Sequence, residues 1–116
     1  MGSEKEIENS ILAYLKSLPD CFAWKNQSTG VYDPTRGVFR KSNNKFHING
    51  VSDILGIYKG KFLAIEVKTP KNKTRPAHQK AFISEVNKRG GIAFFATSIE
   101  EVKENLVKVT KNSGAL

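Results

Sequence analysis

The sequence predicts a single α/β domain whose elements follow the order αβ(arm)ββαβα. Three observations predict it. Apolar residues recur at helical spacing in three segments, short apolar runs bounded by turn residues lie between these segments, and a turn-rich stretch interrupts the order at about 26–49. A chain of 116 residues can bury one core but not two. We therefore assign residues 1–116 to one domain with an inserted arm.

The first helix is predicted to begin after Ser3. Glu6 follows three residues later, which is the spacing of a capping box. Apolar residues then recur at helical spacing over 7–18, and Pro19 ends the segment.

A short strand and a long arm follow the first helix. Residues 21–25 are the predicted strand, in which Trp24 alternates with Phe22, and we expect Trp24 in the core. Residues 26–49 are rich in Gly, Pro and Asn and carry only short apolar pieces, so they are predicted to form a turn-rich, basic arm.

Two apolar strands come after the arm, at 50–58 and 62–68, with a Lys-Gly-Lys turn between them. If they are antiparallel neighbours, Asp53 at the start of one lies near Glu66 at the end of the other. Lys68 faces the same way as Glu66, because side chains alternate along a strand. The pattern predicts two carboxylates and an ammonium at one edge of a sheet.

This combination suits metal-dependent hydrolysis of a phosphodiester. Hard cations such as Mg²⁺ or Mn²⁺ bind carboxylate and carbonyl oxygens, so Asp53, Glu66 and the backbone carbonyl of Val67 are the predicted ligands. Lys68 would orient or help to deprotonate the attacking water and offset charge on the phosphate. A solvated Glu-x-Lys pair is the alternative, but the apolar flanks do not suit an exposed edge strand.

The C-terminal part is predicted as helix, strand and helix. Pro76 suits the first turn of a helix that runs to about residue 88, where a Gly-Gly pair ends it. Residues 92–97 are the last strand. Ser98 and Glu101 have the spacing of a capping box for the final helix.

Gln79 is predicted to lie on the buried face of the second helix. Phe82, Ile83 and Val86 follow it at i+3, i+4 and i+7. A buried amide needs hydrogen-bond partners, and the carboxylates and water of a metal site would supply them. A backbone partner is the alternative.

The motif at these positions resembles a known nuclease signature. Gly-Val-Ser-Asp at 50–53, twelve further residues and Glu-Val-Lys at 66–68 resemble the PD-(D/E)xK pattern, with Ser52 where that superfamily often has Pro. Together with Gln79 and the Gly-Gly pair at 90–91, the chain resembles the VRR-NUC branch. The resemblance implies a restriction-endonuclease-like fold with a central mixed sheet flanked by helices, and a DNA endonuclease that depends on Mg²⁺ or Mn²⁺.

The resemblance implies further site residues near the N-terminus. The pattern Glu-x-x-Ile-x-x-x-Leu begins at Glu8, and in related nucleases it carries an acidic group that reaches the metal region directly, through water or through a second ion. Glu4, one turn earlier, is the alternate. Lys25 resembles a second basic position of these nucleases. Solvated side chains at a helix start and a strand end are the alternatives.

Positive charge is concentrated around the predicted site. The chain carries 19 Lys and Arg against 11 Asp and Glu, and residues 21–90 hold 14 of the basic residues but only 4 of the acidic ones. Such a distribution favours binding of a phosphate backbone, and a solvated basic face is the alternative. The candidate DNA-binding residues are Lys25, Arg36, Arg40, Lys41, Lys45, Lys71, Lys73 and Arg75.

Other site classes are excluded or disfavoured. The single cysteine, Cys21, excludes an intrachain disulfide, and with His47 and His78 it does not make a zinc ligand set. No apolar run is long enough to span a membrane, and the N-terminus lacks the apolar core of a signal peptide. We expect a cytoplasmic protein, in a bacterium or in the host of a phage.

The resemblance to stand-alone VRR-NUC proteins implies branched DNA, such as a four-way Holliday junction, as the substrate of a homodimer. Two symmetric cuts need two active sites, which a two-fold dimer supplies. The arm at 26–49 is the candidate dimer contact, including by exchange between subunits. A flap- or end-specific nuclease, a restriction-like nuclease and a catalytically silent nucleic-acid-binding module are the alternatives.

Overall fold

The structure is a computed structural model that describes residues 2–27, 31–33, 35–40 and 45–114. This part of the chain contains three helices and six strands. In order, they are α1 (Glu4–Lys16), β1 (Cys21–Lys25), β2 (Val31–Asp33), β3 (Val38–Arg40), β4 (Ile54–Tyr58), β5 (Lys61–Val67), α2 (Ala77–Lys88), β6 (Ile92–Ala96) and α3 (Ile99–Gly114).

The main sheet has four strands in the order β1-β4-β5-β6. β1, β4 and β5 are antiparallel neighbours, whereas β5 and β6 are parallel. The parallel pair is possible because α2 returns the chain to the other end of the sheet, as parallel neighbours require a crossover. The predicted α/β fold with a mixed sheet is confirmed.

The turn between β4 and β5 is shorter than predicted. Lys61 pairs with Tyr58, so the turn consists of Lys59 and Gly60 alone. Both residues have positive φ, 50° and 81°. This is the backbone of the two-residue turns that match the twist of a hairpin.

The N-terminal caps of the first and last helices, α1 and α3, differ. The capping box of α1 is as predicted: Ser3 Oγ accepts a bond from the Glu6 amide at 3.2 Å, and Glu6 Oε1 accepts one from the Ser3 amide at 3.0 Å. At α3, Ser98 Oγ accepts from the Glu101 amide at 3.2 Å. The Glu101 carboxylate, however, accepts from the amide and hydroxyl of Thr97. The second box is therefore only half formed.

The core lies on the face of the sheet towards α1 and α3. Alternate residues of β4, β5 and β6 point to this face, because strand neighbours in register share a side. They meet apolar residues of both helices. The core cluster consists of Ile11, Leu15, Ile54, Tyr58, Leu63, Ile65, Val67, Ile92, Ala96, Val102 and Leu106.

The opposite face of the sheet is only half covered. α2 packs against β5 and β6, and the half of the face formed by β1 and β4 carries exposed apolar side chains. Phe22 is 70% exposed and Trp24 is 42% exposed, with their rings 5.5 Å apart. The prediction that Trp24 lies in the core is therefore wrong. Strand alternation places both rings on one face, but the position of α2 decides whether that face is covered.

The arm contains more regular structure than predicted. β2 and β3 pair as an antiparallel hairpin, with Val31 opposite Arg40 and Asp33 opposite Val38. Each strand has three residues, which is too short for an alternating pattern to stand out from turn residues. Gly37 lies in the turn with φ 66°.

Gly50 sets a close backbone contact between the segment before β4 and the start of α2. Its φ is 80°, and a Cβ built on it would lie 2.4 Å from the His78 carbonyl oxygen and 3.0 Å from the Gln79 amide nitrogen. Gly60 has a similar φ of 81° but nothing within 4 Å of a built Cβ. A comparison of substitutions at the two positions therefore distinguishes the cost of backbone strain from the cost of a steric clash.

We predict that Gly50→Ala destabilises the protein much more than Gly60→Ala. Gly60→Ala should cost about 1 kcal/mol, because it places a side chain on a residue with a left-handed backbone conformation and causes no clash. Gly50→Ala adds a clash with backbone that must move, and we expect a total of about 3 kcal/mol or more. Urea unfolding of both variants measures the difference. Equal losses at the two positions would show that the contact at His78 does not constrain the fold.

Candidate active site

Asp53 is held at the start of β4 by bonds to its side chain and its backbone. Its Oδ2 accepts from the Val67 amide at 2.9 Å, which joins it to the end of β5. The Asn26 amide donates to the Asp53 carbonyl at 2.7 Å, and Asn26 Nδ2 donates to the Ser52 carbonyl at 3.2 Å. The prediction that Asp53 lies beside the end of β5 is confirmed.

Glu66, Lys68 and Gln79 form the rest of the site. Glu66 is 5% exposed and Lys68 is 7% exposed, so neither is a solvated surface residue. Gln79 Nε2 donates to Glu66 Oε2 at 3.0 Å. Gln79 Oε1 is buried and has no hydrogen-bond partner in the described part of the chain. The structure thus joins the second helix to the carboxylate pair, as its apolar spacing indicates.

The charge state of Glu66 reflects these surroundings. Burial is the largest cause, and the charge of Asp53 and a hydrogen bond with its side chain add to it; together they raise the pKa of Glu66 to about 8. Lys68 acts in the opposite direction, and Glu4 adds a smaller increase. Two carboxyl groups this close cannot both ionise easily, so one proton is retained near neutral pH.

The donor set fits a hard divalent cation. No group of three His, Cys, Asp or Glu side chains suited to a metal is found within residues 2–27, 31–33, 35–40 and 45–114. The available oxygens are those of Asp53, Glu66 and nearby backbone. Mg²⁺ retains several waters and commonly uses one or two carboxylates, so a small carboxylate set matches it. The raised pKa of Glu66 and the buried Gln79 oxygen without a partner among the described residues both suit a site that holds a cation and its water.

Glu8 and Lys25 lie together between α1 and the sheet. Glu8 is 5% exposed, and Lys25 Nζ lies 3.0 Å from its Oε1, although this oxygen receives no hydrogen bond of good geometry. The contact is therefore one of charges. Lys25 is in register with Ile54, which follows Asp53, so the pair lies at the Asp53 end of the sheet. Glu4 is exposed, but its charge reaches Glu66.

Apart from Lys25 of β1, the predicted DNA-binding residues are distributed over the loop before α2 and the arm. Lys71 and Lys73 are exposed on the loop, where Arg75 is half-buried with its guanidinium carbon 4.9 Å from the centre of the Phe95 ring. In the arm, Arg36 and Lys45 are exposed. Arg40 ends β3, and Lys41 lies outside the described residues.

Two residues that hold the site carry little sequence signal. Asn26 follows β1 directly and lies opposite Asp53, so the register of β1 with β4 places it there. Phe95 belongs to β6 and is in register with Glu66. An antiparallel register can be inferred from a short turn, but the connection between β5 and β6 passes through a helix, so Phe95 cannot be placed from spacing alone.

Comparison with known proteins places the chain in a family. The family model described as RecU, Recombination protein U, matches residues 1–111. The chain belongs to this family. A solved structure titled "VRR_NUC domain protein" has a TM-score of 0.63 and 18% sequence identity, over 96% of this chain and 90% of that one. A search of curated proteins found no match.

Membership of this family makes the chain a nuclease that acts on DNA, as the resemblance of the motif implies. The likeness to the solved structure supports the restriction-endonuclease-like fold. In the part of the chain that the structure describes, no helix is long and apolar enough to cross a membrane.

We predict that Glu66 makes the metal-free protein less stable as pH rises. Its folded pKa of about 8 lies above 4.5, the ordinary value of a glutamate, so its contribution to stability is fully present below about 4.5 and is lost as pH rises towards 8. Glu66→Gln does not titrate and should remove this dependence, which amounts to at most about 1.4 kcal/mol per pH unit.

Urea unfolding in EDTA from pH 5 to 8 measures this dependence. Glu85→Gln is the matched control, because Glu85 is exposed and its pKa is lowered by Arg89. The stability of the wild type relative to Glu66→Gln should fall across this range, and that of Glu85→Gln should follow the wild type. A constant difference between wild type and Glu66→Gln would contradict the raised pKa.

Proposed function

We propose that the protein is a metal-dependent DNA endonuclease that cuts branched DNA, four-way junctions above all, as a homodimer. The observation that carries the catalytic part is the carboxylate pair of the half-buried Asp53 and the buried Glu66, with the buried Lys68 beside it. A protein that only binds DNA gains nothing from carboxylates near phosphates, which repel them. The catalytically silent module is therefore the weaker alternative.

Mg²⁺ or Mn²⁺ would be held by the carboxylates of Asp53 and Glu66 and by the backbone carbonyl of Val67. When bound, the ion polarises the phosphate and lowers the pKa of a bound water. The protein supplies the orientation of the ligands. The Val67 amide fixes Asp53 Oδ2, and Gln79 fixes Glu66 Oε2, so each carboxylate retains a second oxygen for the ion.

Lys68 is the proposed partner of the attacking water. Its ammonium is buried beside the carboxylates, where a charge acts more strongly than in water. There it would hold the nucleophilic water, favour the loss of the water's proton to solvent by stabilising the hydroxide that remains, and offset charge on the phosphate. The unpartnered Oε1 of Gln79 can accept a hydrogen bond from the same group of waters.

Glu8 is the proposed acidic residue of α1. Burial keeps it close to the sheet, and Lys25 compensates its charge at 3.0 Å. Through water or a second ion it would extend the site beyond Asp53. Glu4 remains the alternate, since it is the residue of α1 whose charge affects Glu66.

The basic residues of the loop and arm, together with Lys25 at the end of β1, are proposed to bind the DNA backbone. They are Lys25, Arg36, Arg40, Lys41, Lys45, Lys71, Lys73 and Arg75. Contacts of this kind bind phosphates without reading bases and weaken as salt increases. They would therefore set affinity and placement, while Asp53, Glu66 and Lys68 act on the bond that is cut.

The homodimer is supported by apolar surface that one chain leaves uncovered. In the arm, Phe46 is 77% exposed and Ile48 is 60% exposed. Ile48 and Phe62 also line a groove of about 530 Å³ beside α2, and Phe62 continues into the open sheet face that carries Trp24. The arm of one subunit on this face of the other would cover both surfaces. A flap- or end-specific or restriction-like nuclease is the alternative within the same chemistry.

We predict cleavage of a four-way junction in Mg²⁺ or Mn²⁺, and binding with little turnover in Ca²⁺, whose coordination is longer and looser. Glu66→Gln and Lys68→Ala should each lower the cleavage rate by about 100-fold or more while affinity stays within about threefold, because the backbone contacts remain. Cleavage is measured on linear, flapped and four-way DNA, and affinity by a binding titration in Ca²⁺.

Glu104→Gln and Lys16→Ala are the matched controls for these two changes. Glu104 is exposed on α3 and Lys16 is exposed on α1, both on the side of the sheet opposite to α2. Both control variants should cleave DNA as the wild type does. Activity that resists EDTA, or is restored by zinc alone, would contradict the proposed site. Substantial cleavage by both site variants would do the same.

We predict a dimer by light scattering at micromolar concentration. Phe46→Glu and Trp24→Glu should each give monomers, because a buried charge opposes the proposed contact. These monomers should lose paired cutting of the junction but keep metal binding. Val107→Glu, at an exposed apolar position of α3, should remain a dimer. A wild type that is monomeric and cuts linear duplex as readily as junctions would overturn the branched-DNA proposal and leave a general nuclease.

A further inference from the structure

Arg75 differs from the other basic residues of the loop before α2. Its Nη1 donates to the carbonyls of Asn72 at 2.8 Å and Thr74 at 3.0 Å. Its guanidinium also lies over the Phe95 ring, at 4.9 Å from the centre. A guanidinium is attracted to the face of an aromatic ring, and these contacts together fix the orientation of the side chain. Lys71 and Lys73 are exposed on the same loop.

The Phe95 ring places this guanidinium beside the carboxylate pair. Phe95 of β6 is the register partner of Glu66 of β5, and neighbouring strands are about 4.8 Å apart. Partners in register project to the same face of the sheet. Gln79, in the first turn of α2 and four residues after Arg75, donates a hydrogen bond to Glu66 on that face. Phe95, Glu66 and the start of α2 therefore form one continuous surface with Arg75 on it.

One edge of the guanidinium remains available. The group has five N–H donors, and both of its hydrogen bonds in the described chain use Nη1. Among the described residues, Nη2 and Nε have no partner, and no carboxylate forms an ion pair with Arg75. Two adjacent donors on a fixed plane match two oxygens of a phosphate.

We infer that Arg75 binds the phosphate that is cut, through Nη2 and Nε, and stabilises the charge that develops on it, with Phe95 as the residue that positions Arg75. This inference rests on the proposed nuclease function and assigns a role to one of its basic residues. The loop carbonyls and the ring hold the side chain before DNA binds, so little ordering is required at the moment of reaction. A lysine would keep the charge but lose the fork and its two anchored bonds.

The first test is Arg75→Lys, which changes geometry but not formal charge. We expect the single-turnover cleavage rate in Mg²⁺ to fall about 100-fold, as for loss of a group that acts on the transition state. Affinity for the same DNA in Ca²⁺ should change by less than about threefold. Arg89→Lys is the matched control, since Arg89 is exposed at the end of α2 and pairs with Glu85. It should cleave as the wild type does.

The second test addresses Phe95. Phe95→Leu keeps an apolar side chain but removes the ring, and we expect the cleavage rate to fall about tenfold with affinity unchanged. Phe95→Tyr retains the ring and should restore the rate. In the Arg75→Lys, Phe95→Leu double variant the losses should not add, because the ring acts through the guanidinium. Thermal unfolding of each variant verifies that the rates come from folded protein.

Three results overturn the inference. An Arg75→Lys rate within twofold of the wild type shows that the fork is not used. A loss confined to affinity makes Arg75 an ordinary backbone contact, and additive losses in the double variant remove Phe95 from its positioning role. In all three the wild type is active, so the proposed function stands. A wild type that cuts none of the DNA substrates in Mg²⁺ or Mn²⁺ overturns the proposed function itself, and this inference with it.

Discussion

The site depends on the burial of the end of β5. From Leu63 to Lys68 every residue of this segment is buried, because β4 and β6 flank the strand, the core helices cover one face and α2 covers the other. Glu66 and Lys68 therefore carry ionisable groups where water cannot compensate them fully. The bond from Gln79, the raised pKa of Glu66 and the nearby Asp53 are consequences of this position. The proposed divalent cation would relieve the same cost by pairing with both carboxylates.

Local patterns predict much of this arrangement. The capping box of α1 needs only Ser3 and Glu6, and a tight turn brings Asp53 near Glu66. The apolar spacing after Gln79 sets the phase of α2, so its amide faces the sheet. Each of these features depends on residues close together in sequence or joined by a short hairpin, where spacing translates directly into geometry.

Features that depend on packing between distant elements are not predictable in this way. Trp24 alternates as a core residue would, but it is exposed because α2 covers the β5 and β6 side of the sheet instead. The pairing of Glu8 with Lys25 depends on how α1 crosses the sheet. The contact between Arg75 and Phe95 depends on the parallel register of β5 with β6. These strands are joined through α2, so residue spacing does not give their register. The hairpin of the arm is not predictable for another reason, because strands of three residues have too few positions to show an alternating pattern.

Gly50 adds a mechanical property to the site. The segment that leads to Asp53 touches the first turn of the helix that carries Gln79, and this contact is backbone against backbone. A side-chain contact can adjust by changing rotamer, but this one has no such freedom. It keeps a fixed separation between the segment that carries Asp53 and the helical turn that carries Gln79. The position of the helical turn that carries Gln79, relative to the segment that carries Asp53, is thus set by main-chain geometry, which makes it insensitive to substitutions elsewhere on the surface of α2.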